Sequence, residues 1–330
     1  MSWRTSAAAA PCWRPLASRR HVRPNFGPAC AARRARKPRR PSPLDRLELI
    51  CGGARAEIAL RGAELRGWSV GGTPLIWRKD PAHWDETAPI LFPIVGWTRD
   101  GARVAGERFP LGLHGFARAM NFSVEAHEPA RARLALRSGA ESLALYPFPF
   151  EFHVEYSLAE DSLTTSLIVE NSGERPMSYA CGLHPGFRWP FAAHGDYCIL
   201  FSADEVPLVP KISPKGLFLK SLRAIPLEGR KLALNPALFA AEALCFLNAR
   251  SRSLRFQHEG GAALIVETTN FPHLALWSKP PAEFLAIECW TGHGDPAHFD
   301  GDLFEKPSMR ILEPGAIARH EAHYRFAAAP

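Results

Sequence analysis

Along the chain the dominant hydrophobic period is two. Phe152, Val154, Tyr156 and Leu158 alternate with polar or charged neighbours, and the pattern resumes at Leu163, Thr165, Leu167 and Val169. Successive side chains of a strand point to opposite faces, so each segment predicts a strand with one face buried. Asn171-Ser172-Gly173 then supplies turn chemistry. Similar patterns predict strands over 55–60, 254–258, 262–268, 273–278 and 284–289. In a closing strand, Ala318, His320, Ala322, Tyr324 and Phe326 share one face. Gly71-Gly72 and Gly260-Gly261 stand where hairpin turns are expected. Helical signals are few: Asn235-Pro236 predicts a cap and first turn for a short helix over 237–244. Many short strands without a β-α-β rhythm predict an all-β fold, a large antiparallel β-sandwich with few short helices.

Composition narrows the picture further. With 330 residues, 46% hydrophobic and 22% charged, the chain is too apolar for a disordered protein and long enough for one large core. No stretch approaches the roughly eighteen uninterrupted apolar residues of a membrane helix. Thirty prolines and 25 glycines, one residue in six, argue against a helical bundle. The net charge of +7 is unevenly placed. Residues 1–44 hold eleven Lys or Arg and no acid, which leaves 29 basic against 33 acidic residues in the other 286, a net of −4. Residues 1–44 are therefore expected to be a disordered basic arm, and 45–330 a single sandwich domain. Three readings of the arm stay open: extra translation from an upstream start, an organellar targeting segment, or a nucleic-acid patch around Arg33–Arg40. It lacks the apolar stretch of a secretory signal. The seven cysteines are scattered and form no CxxC pair. That predicts reduced thiols, a cytoplasmic location and no structural zinc.

Four segments are unusual as strand-and-turn filler. APILFPIVGW at 88–97 is an apolar run broken by two prolines. LHGFAR at 113–118, if extended, puts His114, Phe116 and Arg118 on one face. CGLHPGFR at 181–188 sets His184 among turn residues, and FLAIECW at 284–290 places Glu288 inside an apolar strand. A carboxylate there is costly unless paired or used, and burial raises its pKa. Each residue also has a plain reading, as a hydrogen-bonded turn histidine or an ion-paired glutamate. Together they suit a sugar site, where aromatic faces stack on C–H surfaces and polar groups read hydroxyls. The run from His293 to Asp300 carries ligand-type residues and is a weak metal-loop candidate. Dinucleotide, Walker and GxSxG motifs are absent from the sequence.

In this order the segments resemble the aldose 1-epimerase (galactose mutarotase-like) family, in particular its bacterial aldose 1-epimerase-like branch. The landmarks are APILFPIVG at 88–96, HGFAR at 114–118, GLHPGF at 182–187, WSKP at 277–280, IECW at 287–290, GHGD at 292–295 and DGDL at 300–303. The resemblance covers residues 47–326 and implies the family's large antiparallel sandwich and anomer interconversion of a free aldose. It implies Glu288 as base, His184 as acid and His114 as a hydrogen-bonding third residue. Arg118, Arg99, Trp97, Trp277, Lys279 and Trp290 are the expected substrate-binding residues. No metal and no organic cofactor are expected. The partner is a small-molecule sugar, with neither nucleic acid nor membrane, and the oligomeric state is left open. Two departures stand out: Trp97 occupies a position where the branch commonly has arginine, with Arg99 two residues on, and Cys289 stands where proline is common. Cys289 should face away from Glu288. The family's substrate-binding aspartate is not assigned. The alternatives are a hexose-6-phosphate 1-epimerase, with Arg118 and Arg99 or Lys279 on the phosphate, and a non-catalytic carbohydrate-binding domain. A glycosidase is disfavoured because no second carboxylate is recognised beside Glu288.

Overall fold

The computed structural model describes residues 45–190 and 197–328; the expected disordered arm, with Cys12 and Cys30, lies outside them. The period-two runs form strands within a residue or two of expectation. Phe150–Leu158 and Ser162–Asn171 pair antiparallel through Phe152–Val169, Val154–Leu167 and Leu158–Leu163. The others are Ala54–Ala59, Ser253–His258, Ala263–Thr269, His273–Trp277, Phe284–Trp290 and Ile317–Ala327. Both glycine pairs sit in hairpin turns, closing on Val70–Thr73 and Gln257–Ala263.

Two expectations change. The helix over 237–244 is only a 3-10 turn, Pro236–Phe239. Leu244–Phe246 instead pairs with His273–Trp277 at the edge of a sheet, where all three of its residues are buried, more than a surface helix offers that apolar run. The HGFAR segment is not extended. His114 and Gly115 have left-handed φ values of 61° and 72°, and Ala117–Ala119 forms a 3-10 turn. Phe116 therefore goes into the core, while His114 and Arg118 do not follow one strand face. A short α-helix, Ala140–Leu145, had no signal in the periodicity.

Two large antiparallel sheets build the sandwich among the described residues. One has ten strands, running from Leu227–Glu228 to Ser123–Glu128, with Ile317–Ala327 lodged between Ala263–Thr269 and Ser162–Asn171. The other has six, in the order Leu244–Phe246, His273–Trp277, Phe284–Trp290, Gly182–Leu183 and Ile90–Leu91, with Gly186–Arg188 also paired to Phe284–Trp290. Their shared core joins Leu285, Ile287 and Cys289 to Phe152, Val154, Leu167 and Tyr324. Phe92 anchors one end, stacked on Phe152 at 4.3 Å between ring centroids. Each such aromatic removes a large apolar area from water, worth a few kcal/mol.

Every residue of Phe284–Trp290 is buried. Its inward face supplies the shared core. Its other face packs under loops, where Trp290 joins Leu91, Val95, Ala180, Phe218, Cys245 and Ala275 in a second cluster. Strand alternation thus sends Cys289 and Glu288 to opposite faces, as expected. This loop-covered outer face carries the site.

Candidate active site

On that face Ala275 lies opposite Glu288, and Gly182 and His273 flank Trp290 on either side. The chain leaves the sheet after Leu183, so His184 reaches over the same strand. Its Nε2 lies 3.3 Å from Glu288 Oε2. The Trp290 indole N–H donates to that same oxygen at 3.0 Å. Oε1 has no donor among the described residues. Glu288 is 2% exposed and His184 8% exposed.

Burial disfavours both charged forms here. It raises the Glu288 carboxyl well above its ordinary value, with the Trp290 donor pulling partly the other way. Burial, with a further contribution from Arg118, lowers His184 to about 3. Both directions agree. Burial thus favours the pair sharing one proton, as a carboxyl beside a neutral imidazole.

His114 completes the polar group. Its ring stands perpendicular to that of His184, with centroids 5.7 Å apart. The Gly96 N–H donates to His114 Nδ1 at 3.1 Å, so the ring proton sits on Nε2 and His114 is a donor. Burial, His184 and Arg118 hold its pKa well below the ordinary value. A left-handed histidine costs about 1–2 kcal/mol, and the neighbouring backbone determines it. Phe92 N–H donates to His114 O, and its own carbonyl accepts from Phe116 and Ala117. Gly115 makes the crossing possible, since a Cβ there would sit 2.3 Å from Phe92 O.

Aromatic rings wall one side. Trp84 lies 5.2 Å from the His184 ring and stacks on Phe284 at 4.7 Å. Trp277 meets both Trp84 and His184 edge-on, at 5.4 and 5.6 Å. Beside them Arg118 Nη1 spans both oxygens of Glu86, at 3.0 and 2.8 Å. Trp84 beside it also favours the ionised form of Glu86. Glu86 is a second carboxylate that the sequence reading missed. Its only sequence signal is its place two residues before APILFPIVG, and its partner Arg118 is 32 residues away.

The expected substrate-binding residues therefore divide. Arg118, Trp277 and Trp290 join Glu288, His184 and His114, with Trp290 bonded to the carboxylate. Trp97 and Arg99 do not. The Trp97 indole lies over Gly216, where a Cβ would fall 2.0 Å from it. With Arg99, Leu111 and Lys215 it lines a separate cavity of about 770 Å³. Arg99 is held by Asp295, whose carboxylate accepts its backbone N–H at 2.7 Å. Lys279 is tied on the exposed rim, its Nζ donating to His83 O at 2.7 Å.

In the weak metal-loop candidate of 293–300, His293 Nδ1 bonds Gly294 O and Asp295 pairs with buried Lys306 at 2.9 Å, so these two side chains are engaged within the fold. Among the described residues only Glu151, His153 and Glu170 bring three ligand atoms within 4.8 Å, on another face. The described cysteines are all unpaired thiols. No helix of the described chain is long and apolar enough to cross a membrane.

Comparison with known proteins agrees with this architecture. Protein LacX of Lactococcus lactis subsp. lactis is 33% identical over 257 residues, 74% of this chain and 86% of its own length. A galactose mutarotase related enzyme from Lactobacillus acidophilus superposes with a TM-score of 0.80 at 26% identity, covering 86% of this chain and 98% of that structure. A galactose mutarotase-like protein from Lactobacillus casei matches with the same TM-score and identity, over 86% of this chain and 100% of that one. The sequence profile of the Aldose 1-epimerase family spans residues 45–325, nearly all of the described chain, and by that match the protein belongs to the aldose 1-epimerase family.

Proposed function

We propose that this protein interconverts the α and β anomers of a free, uncharged aldose. The observation that carries the reading is the 3.3 Å approach of His184 Nε2 to Glu288 Oε2 within a buried, aromatic-walled site. Anomerisation moves protons at two oxygens, the C1 hydroxyl and the ring oxygen, bonded to the same carbon. Acid and base must therefore stand side by side. A glycosidase needs two carboxylates about 5–9.5 Å apart across the bond it cuts. Here the immediate partner of Glu288 is an imidazole, and the second carboxylate, Glu86, is engaged through both oxygens by Arg118.

Passing the shared proton to His184 Nε2 readies the pair. Glu288 then takes the proton of the C1 hydroxyl, the bond from C1 to the ring oxygen breaks, and His184 protonates that oxygen. Rotation about C1–C2 exposes the other face of the aldehyde, and the reverse transfers close the ring as the opposite anomer. His114 Nε2–H donates to the ring oxygen or a neighbouring hydroxyl, steadying the charge that develops. Trp84 and Trp277 offer faces and edges to the sugar's C–H surface. The unpaired thiols suit a reducing, cytoplasmic setting.

Polarimetry on freshly dissolved α-anomers of glucose and galactose tests the reading. Glu288→Gln and His184→Ala should each slow anomerisation by about 10²–10⁴-fold. The double variant should lose less than the product, since both groups act in one step. Wild-type rates in either folded single variant would refute the assignment.

A further inference from the structure

We propose that Glu86 is a specificity-determining residue: its carboxylate, held against Arg118 beside the Glu288–His184 pair, admits uncharged aldoses and rejects anionic ones such as sugar phosphates and uronates. The inference rests on the anomerase reading above. An arginine fork at a sugar site is by itself a natural receptor for phosphate or carboxylate. Here that fork is already engaged, because Arg118 Nη1 bonds both Glu86 oxygens. The two side chains are only 30% and 26% exposed, so their charges act in a poorly screened place. A neutral hydroxyl can donate to Glu86 and accept from the remaining guanidinium N–H groups. An anion there meets the carboxylate as well as the cation, and this repulsive element provides discrimination.

The placement is over-determined. Trp84, whose ring packs on His184, also favours the ionised form of Glu86. Arg118 is close enough to depress both site histidines. The loop carrying Glu86 is pinned by buried Glu64, which accepts the Thr87 and Ala88 N–H groups at 2.6 and 3.0 Å and pairs with Arg66 at 2.6 Å.

The test compares wild type, Glu86→Gln and Glu86→Asp on glucose, 6-O-methylglucose, glucose 6-phosphate and glucuronate. Anomerisation is followed by polarimetry, binding by the fluorescence of the site tryptophans, and folding by thermal melting. Wild type should take glucose and 6-O-methylglucose and disfavour both anions, which separates charge from size. Glu86→Gln should raise the kcat/KM ratio of glucose 6-phosphate to glucose by about tenfold or more, about 1.4 kcal/mol. Glu86→Asp, which keeps the charge, should retain the wild-type preference and covers the case of a misfolded glutamine variant. An unchanged ratio in folded Glu86→Gln, or wild-type binding of glucose 6-phosphate as tight as that of glucose, would overturn the proposal. A wild type that anomerises no aldose would instead sink the anomerase reading, and the fluorescence comparison would still decide the role of Glu86.

Discussion

Replacing Trp290 with phenylalanine isolates one hydrogen bond of the proposed mechanism. The indole N–H donates to Glu288 Oε2 at 3.0 Å, and phenylalanine keeps a ring in the same cluster while removing the donor. A hydrogen bond to a charged group is worth about 1.5–3 kcal/mol, against about 0.5–1.5 for a neutral one, so the donor favours the carboxylate by about 1–1.5 kcal/mol. Its loss raises the already elevated Glu288 pKa further. In the mechanism proposed here, moving the shared proton onto His184 becomes harder by the same amount, and kcat should fall about tenfold. Loss of the shared proton at high pH should also shift, moving the alkaline limb of the rate profile up. The assay is polarimetry of an α-aldose between about pH 5 and pH 10, with thermal melting to register the small packing loss. A slower variant whose alkaline limb stays in place would reduce Trp290 to a packing residue, and an unchanged rate would show the bond to be idle.

Further outcomes are expected elsewhere. Gly115→Ala puts a Cβ 2.3 Å from Phe92 O at a φ of 72°, so it should displace His114, cost more than about 2 kcal/mol in urea unfolding and depress turnover. Asp295→Asn strands buried Lys306, now paired at 2.9 Å, and should cost about 3–5 kcal/mol in the same assay. Burial holds His184 and His273 near 3 and His320 near 4, so the unfolded chain binds more protons than the native one below its histidine pKa of about 6.5. Stability should therefore climb as pH rises toward 6.5 and gain nothing from these groups above it, at about 1.4 kcal/mol per pH unit for each histidine. Glu288 opposes this with one proton, because its raised pKa removes stability as pH climbs above about 4.5. Chemical unfolding at several pH values measures the slope, and a flat profile would contradict the burial of these imidazoles as neutral groups.

What the sequence determined by itself is local. Side-chain alternation depends only on neighbouring residues, so Phe150–Leu158, Ser162–Asn171 and Phe284–Trp290 were legible as strands, and Cys289 was correctly turned away from Glu288. The motifs that resemble the family also singled out Glu288, His184 and His114 before any distance was known. The tertiary structure decided what meets what. Positive φ at His114 and Gly115 broke the straight face drawn through HGFAR, since the Phe92 carbonyl crossing there outweighs the extended preference. Gly216 and Asp295 drew Trp97 and Arg99 toward a neighbouring cavity. Glu86 met Arg118 across 32 residues of chain, and Trp290 became the donor to Glu288. Such pairings arise when loops from distant parts of the chain close over one sheet face, and no periodicity within a single segment encodes them.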